Sequence, residues 1–174
     1  MNLIEYLRSF DKIAIALSGG VDSTYLAYAA KQSGVLCKAY TVKSQFVPQF
    51  ELEDAKKVAE LIDISLKIID IDVLEYDDIT SNPSNRCYYC KYHVFSTISE
   101  HARRDGFTIL CDGTNASDDV DDRPGMKAIA ELSVKSPLRE CNLTKTMIRK
   151  LAYKADLFTW DKPSYACLAT RFQP

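Results

Sequence analysis

No apolar run in this sequence approaches the length of a membrane span, which argues against a helical anchor within it. The N-terminus lacks a signal-peptide layout; residues 1–10 instead mix apolar and charged side chains as an amphipathic helix does. Charge imbalance is also missing. The 22 Lys and Arg nearly cancel the 24 Asp and Glu, and a net charge of −2 gives no global attraction for nucleic acid or acidic lipid. Internal repeats and low-complexity segments are absent, so no solenoid or tail is expected. What remains is 47% apolar and 26% charged, the composition of a soluble globular protein, and 174 residues suffice for one domain with a real core. Six cysteines are many for such a chain. Without a secretory signal, metal binding or thiol chemistry is a better expectation than disulfides, and the compartment reads as a reducing cytoplasm.

Periodicity sets out alternating strands and helices. Strands are predicted at 12–17, 36–42, 66–71 and 108–111, with a further short one beginning at Val134. Helices are predicted at 22–33, stopped by Gly34, at 51–62, 86–104 and 124–132, and after the N-cap Thr144. The last of these places Met147, Ile148, Leu151 and Ala155 on its core face, and 80–85 and 160–174 read as loops. This alternation implies an α/β fold, a doubly wound, mostly parallel sheet with right-handed crossovers, with ligands beyond the carboxyl ends of its strands.

At the first such end stands Ser18-Gly19-Gly20-Val21-Asp22-Ser23. Two glycines let backbone approach a phosphate, and the helix that follows offers unpaired N–H groups and partial positive charge. Ser18 and Ser23 add hydroxyls. Asp22 would repel phosphate, so it is expected to cap the helix or hold Mg²⁺. The Lys-Ser/Thr pair of a Walker A loop is absent. The motif resembles SGGxDS, the PP-loop of the ATP pyrophosphatases, which split ATP to AMP and pyrophosphate; the bland alternative is an ordinary strand-to-helix turn.

Cys87-Tyr88-Tyr89-Cys90 falls at a predicted helix start, flanked by Arg86 and Lys91. Sulfurs three residues apart share a helix face and can meet one metal, and a helix N-terminus favours thiolate. Three readings stay open: core packing on the stripe Cys87, Cys90, Val94 and Ile98, a metal site completed by Cys167, or a redox pair. Cys37, Cys111 and Cys141 read as packing, and His93 as surface.

Together these motifs resemble the LarE-type ATP-dependent sulfur transferases over nearly the whole chain. The shared stretches include Asn85-Arg86-Cys87-Tyr88-Tyr89-Cys90-Lys91, Asp112-Gly113-Thr114-Asn115, Arg123-Pro124-Gly125, Ser136-Pro137-Leu138 and Trp160-Asp161-Lys162-Pro163-Ser164. They close with Ala166-Cys167-Leu168-Ala169 and Arg171. The resemblance implies adenylation of pyridinium-3,5-biscarboxylic acid mononucleotide, release of pyrophosphate and conversion to a thiocarboxylate, on the way to a nickel-pincer nucleotide cofactor. It implies ATP, Mg²⁺ and a [4Fe-4S] cluster held by Cys87, Cys90 and Cys167, the three-cysteine pattern. In the one-cysteine pattern the residue matching Cys167 attacks the acyl-adenylate and gives up its own sulfur. It further implies that Thr41, Val42 and Lys43 read adenine, and that the protein is a homo-oligomer acting on a small-molecule nucleotide, with neither nucleic acid nor membrane as partner and an unidentified sulfide donor. The family normally continues past the last shared motif with a further α/β segment, so 1–174 is expected to be the PP-loop domain without it.

Other residues read two ways. Asp112 and Gly113 lie where sheet ligands bind, Asp112 near nucleotide or Mg²⁺ or in a solvated turn. Asp118, Asp119, Asp121 and Asp122 form a solvated loop or hold metal. Arg123 and Arg171 grip substrate carboxylate or phosphate, or make surface ion pairs. Trp160 is expected in the core. Two further functions remain as alternatives: a tRNA thiolase sharing the PP-loop, and a nucleotide- or metal-binding module without turnover.

Overall fold

Four parallel strands, β1 (Lys12–Ala16), β2 (Leu36–Lys43), β3 (Leu66–Asp70) and β4 (Leu110–Cys111), form a sheet in the order β3-β2-β1-β4. The computed structural model describes residues 1–119 and 124–164. The chain winds outward from β1 through β2 to β3, then crosses back to place β4 on the other side of β1. That reversal between β1 and β4 is the switch point of a doubly wound fold.

Eight helices accompany the strands among the described residues: α1 (Leu3–Arg8), α2 (Val21–Ser33), α3 (Gln49–Ile62), α4 (Asp77–Thr80), α5 (Arg86–Arg104), α6 (Pro124–Glu131), α7 (Pro137–Glu140) and α8 (Lys145–Lys154). Period-two alternation in β1 sends Ile13 and Ile15 to one face and Ala14 to the other. The first face buries Leu7, Leu26, Val58 and Ile148 from α1, α2, α3 and α8; the second buries Ile98, Ala102, Met126 and Ile129 from α5 and α6. Leu7, Leu26 and Ile148 are fully buried, and each such side chain contributes about 1.5–3 kcal/mol. Gly34, at φ +83°, ends α2 as expected, and Thr144 caps α8 by accepting from Met147 N at 3.3 Å.

Several expectations are corrected. The predicted fourth strand shortens to two residues, and the segment at Val134 contributes one parallel bridge, Cys111 to Lys135. Short helices α4 and α7, and a 3₁₀ turn at Val73–Glu75, are additional. In α8 the buried stripe is Ile148 and Ala152, facing α2, while Met147 turns outward at 45% exposure. Trp160 is also exposed, at 40%, edge-on to Tyr153 with ring centroids 5.0 Å apart.

Candidate functional site: an uncapped helix at the switch point

The turn after β1 is built from close approaches. Gly19 adopts φ +80°, and a Cβ there would lie 2.8 Å from the Glu51 carbonyl oxygen and 2.9 Å from Ala55 N, so α3 rests directly on the turn. A Cβ on Gly113 would lie 2.9 Å from Ser23 N, so the loop after β4 presses on the start of α2. Gly20, not Asp22, occupies the N-cap, and no side chain caps α2, which corrects the capping expectation. Thr24 N is the first helical amide to find a carbonyl, that of Gly20 at 3.1 Å. The N–H groups of Val21, Asp22 and Ser23 therefore stand at the positive end of the helix dipole without intrahelical partners. Ser23 Oγ accepts from Ser18 N at 3.1 Å and lies 3.1 Å from Ser18 Oγ, fixing the turn around that end.

Asp22 is paired through Oδ2 with the ammonium of Lys145, and the Asn115 side chain also interacts with this carboxylate, though no well-formed hydrogen bond reaches the buried Oδ1. Burial raises its pKa first, against the opposing pull of Lys145 and of the Asn115 amide and with a further push from the Asp118 carboxylate. The buried side-chain nitrogen of Asn115 meets no acceptor at good hydrogen-bond geometry; the Asp22 carboxylate is the acceptor it neighbours. On the other flank Lys162 donates to the Gly19 carbonyl at 3.1 Å and pairs with Asp54 at 2.6 Å. Glu51 beside it has a raised pKa, chiefly through burial. Asp112 is buried and committed to structure: its carboxylate accepts from Thr114 N at 3.2 Å, Thr114 Oγ1 at 2.6 Å and Ser136 Oγ at 2.7 Å.

A cavity of about 650 Å³ opens beyond the carboxyl ends of the strands. Ser18, Gly20, Asp22, Ser23, Asp112 and Gly113 line one side. Thr41 and Val42 line another, with the Thr41 hydroxyl donating to the Leu17 carbonyl, whereas Lys43 is exposed and outside the lining. Helix α5 closes the cavity with Lys91, Val94, Phe95 and Ile98. The Lys91 stem crosses α6 so closely that a Cβ on Gly125 would lie 2.6 Å from its Cδ. The volume is that of a small-molecule site, with apolar walls and a few convergent polar groups.

Cys87 and Cys90 sit on the first turns of α5 and neither lines the cavity. Cys87 is exposed, which overturns core packing for it; Cys90 is half-buried against the second core. Among the described residues no three His, Cys, Asp or Glu side chains gather to hold a metal ion. Cys111 is buried, with its thiol pushed up to about 12, chiefly by burial. His93 is not a simple surface residue: it pairs with Asp78 at 2.9 Å and stacks on Tyr76 at 3.8 Å. Cys167, Arg171, Arg123, Asp121 and Asp122 lie outside the described residues. Lys145 reaches the site unforeseen by sequence reasoning, hinted at only by the Thr144 N-cap, while Lys162 and Asn115 lie in stretches the family resemblance shares but carry no role there; all three come to the loop from distant positions.

An uncapped Gly-Gly turn at the switch point of a parallel sheet is the architecture of the PP-loop fold class. Its sequence relatives agree. The family model described as queuosine biosynthesis protein QueC matches residues 12–83. A protein of Lactiplantibacillus plantarum named pyridinium-3,5-bisthiocarboxylic acid mononucleotide synthase is 30% identical over 98% of this chain and 62% of its own length. An uncharacterized protein of Synechocystis sp. is 37% identical over 98% of this chain and 64% of its own. The chain thus spans less than two thirds of these curated relatives. In fold it matches the NH₃-dependent NAD synthetase of Campylobacter jejuni, with a TM-score of 0.74 at 18% identity over 94% of this chain and 76% of that one. The chain shares the PP-loop fold and is similar to the LarE-type relative of Lactiplantibacillus plantarum. No helix among the described residues is long and apolar enough to cross a membrane.

Proposed function

We propose that this domain activates a carboxylate of a pyridinium nucleotide with ATP and directs sulfur onto it, converting pyridinium-3,5-biscarboxylic acid mononucleotide to a thiocarboxylate. The observation that carries this reading is the uncapped first turn of α2 opening into a 650 Å³ cavity at the switch point, together with the named relative. ATP lays its phosphates against the N–H groups of Val21, Asp22 and Ser23, with its adenosine toward Thr41 and Val42. A carboxylate oxygen of the substrate attacks the α-phosphorus; the α–β P–O bond breaks and pyrophosphate leaves with the electron pair. A sulfur nucleophile then attacks the acyl carbon and AMP departs. AMP is a far better leaving group than an oxide, which is why adenylation precedes sulfur transfer. The helix N-terminus stabilises charge that grows on the departing phosphates.

Mg²⁺ fits Asp22, whose buried Oδ1 has no well-formed hydrogen bond; when bound, it would neutralise phosphate charge. A [4Fe-4S] cluster would be held by Cys87 and Cys90, one helical turn apart, with Cys167 as third ligand, and when bound it would supply sulfide. The exposure of Cys87 leaves its sulfur accessible to such a group. Arg171 is assigned to the substrate anion and Cys167 to the sulfur-transfer step on resemblance alone.

The test is incubation of anaerobically reconstituted protein with ATP, Mg²⁺ and the biscarboxylated pyridinium nucleotide, reading AMP, pyrophosphate and sulfur gain. Stoichiometric AMP and pyrophosphate with a thiocarboxylate product is the expected result. ATP binding with neither product, even in a chain extended to the full length of the relatives, overturns the reading.

A further inference from the structure

After α8 the chain forms a short strap that is held from both sides. Leu157 is buried, and two consecutive turns follow it: Trp160 N donates to the Leu157 carbonyl at 3.1 Å, and Lys162 N to the Thr159 carbonyl at 3.0 Å. Arg149, in the middle of α8, donates through Nη1 to the Trp160 carbonyl at 2.9 Å and to the Lys162 carbonyl at 2.8 Å. No carboxylate among the described residues pairs with that guanidinium. Its charge goes instead to two main-chain oxygens, and a cationic donor strengthens both bonds. From the opposite side the Lys162 ammonium reaches the Gly19 carbonyl at 3.1 Å and Asp54 at 2.6 Å, and lies 5.5 Å over the Phe50 ring.

The strap ends on the rim of the nucleotide cavity. Ser164 lines the 650 Å³ cavity, and with Pro163 it also lines a smaller chamber of about 170 Å³ beside the Gly-Gly turn. Cys167 follows three residues later, and three residues of chain span at most about 10–11 Å. Holding Ser164 at the rim therefore bounds how far the Cys167 sulfur can be from the cavity mouth. An acyl-adenylate formed in that cavity has two fates. Attack by water on the acyl carbon breaks the acyl C–O bond, AMP leaves with the electron pair, and the carboxylate returns. Attack by a sulfur nucleophile expels AMP in the same way, leaves a C–S bond, and passes any thiol proton to solvent. Both fates consume ATP equally, so the placement of sulfur decides the yield.

We propose that Arg149 is a positioning residue for sulfur transfer: by fixing the strap Trp160–Ser164 on the rim of the nucleotide cavity, it keeps the tail that carries Cys167 within reach of the acyl-adenylate, ahead of water. This rests on the sulfur-transfer reading above. A planar fork that holds two carbonyls at once sets the direction of the strap as well as its position. The adenylating side of the cavity does not touch Arg149, so its loss bears on the second half of the reaction more than on the first.

The test compares the full chain with Arg149→Met and Arg149→Lys, reading pyrophosphate and thiocarboxylate separately. In Arg149→Met, pyrophosphate release should fall by less than about threefold, while thiocarboxylate formed per AMP falls about tenfold or more and the balance returns as carboxylate. Arg149→Lys, which keeps donors for the two carbonyls, should recover most of the yield. Equal loss of pyrophosphate and thiocarboxylate would mark a structural residue and overturn the proposal. A second measurement needs neither turnover nor a folded variant. In the unsubstituted chain without metal cluster, Mg²⁺–ATP should slow iodoacetamide labelling of Cys167 about fivefold or more, read by peptide mass spectrometry, and leave exposed Cys87 unchanged. Labelling of Cys167 that ignores Mg²⁺–ATP overturns the proposal, as does protection that persists undiminished in Arg149→Met. If the chain forms neither AMP nor pyrophosphate, the reaction falls, and labelling still reports whether Arg149 holds the tail at the cavity. If products form and the labelling result fails, the role of Arg149 alone is removed.

Discussion

The two ends of the sheet are built on opposite terms. At the amino ends of the strands, the carboxylate of Asp105, just past α5, accepts from Tyr40 Oη at 2.8 Å and pairs with Lys38 at 3.1 Å and Lys67 at 3.4 Å. These contacts, led by the Tyr40 hydrogen bond, hold its pKa down to about 2. At the carboxyl ends, Asp22 Oδ1 and the neighbouring buried Asn115 amide nitrogen make no well-formed hydrogen bond, and the first turn of α2 has no cap. One end satisfies its charge internally; the other leaves donors and acceptors unfilled. Buried groups without partners cost about 1–3 kcal/mol each, and such cost is tolerated where a ligand supplies the missing partners.

The largest expected effect is at the turn itself. Gly19→Ala adds a Cβ 2.8 Å from backbone at a positive φ, and should cost about 2–4 kcal/mol by urea unfolding, with nucleotide binding lost in parallel. Gly113→Ala meets Ser23 N at 2.9 Å and should cost about 1–3 kcal/mol. If Gly113→Ala leaves nucleotide affinity intact, the loop after β4 does not position the start of α2.

Smaller effects should separate the two ends by sign. Asp105→Asn should lower the urea midpoint at pH 7. The folded pKa of Asp105 lies below the ordinary 3.8, so on acidification the unfolded chain takes up the proton first. Its stabilisation is therefore full above about pH 4 and lost as pH falls through about 2, and the gap between variant and parent should close over that window. Asp22 shifts the other way: its ionised form is disfavoured by folding, so Asp22→Asn should leave the pH 7 midpoint no lower than the parent while abolishing pyrophosphate release. A fall in midpoint like that of Asp105→Asn would erase the contrast. The smallest effect is chemical. At pH 8 a thiol reagent should modify exposed Cys87 and spare Cys111, whose raised pKa and burial withhold the thiolate until unfolding.

Much of this contrast could be read from the chain, and the rest was hidden for identifiable reasons. The β1 run and the Gly-Gly turn after it are local signals, so the loop, the parallel α/β winding and helix α5 are legible in the sequence. The partners of the loop are not local. Lys145 and Lys162 arrive from the far end of the chain, and no spacing rule joins them to Asp22 or Gly19. The apolar pattern puts Met147 on the core face, but the buried stripe of α8, through Ile148 and Ala152, is narrower and packs chiefly on α2. Helices α4 and α7 are single turns, too short for periodicity to register. Thr41 and Asp112 were expected at the ligand and do line the cavity, but their polar atoms are spent on Leu17, Thr114 and Ser136.

Hydrogen exchange with and without Mg²⁺–ATP tests most directly whether the unfilled end is the phosphate site. Amides of Val21, Asp22 and Ser23 should become strongly protected on loading, while those around Asp105 keep their rates. Protection confined to the Asp105 end, or no protection at α2 under saturating Mg²⁺–ATP, would contradict the account.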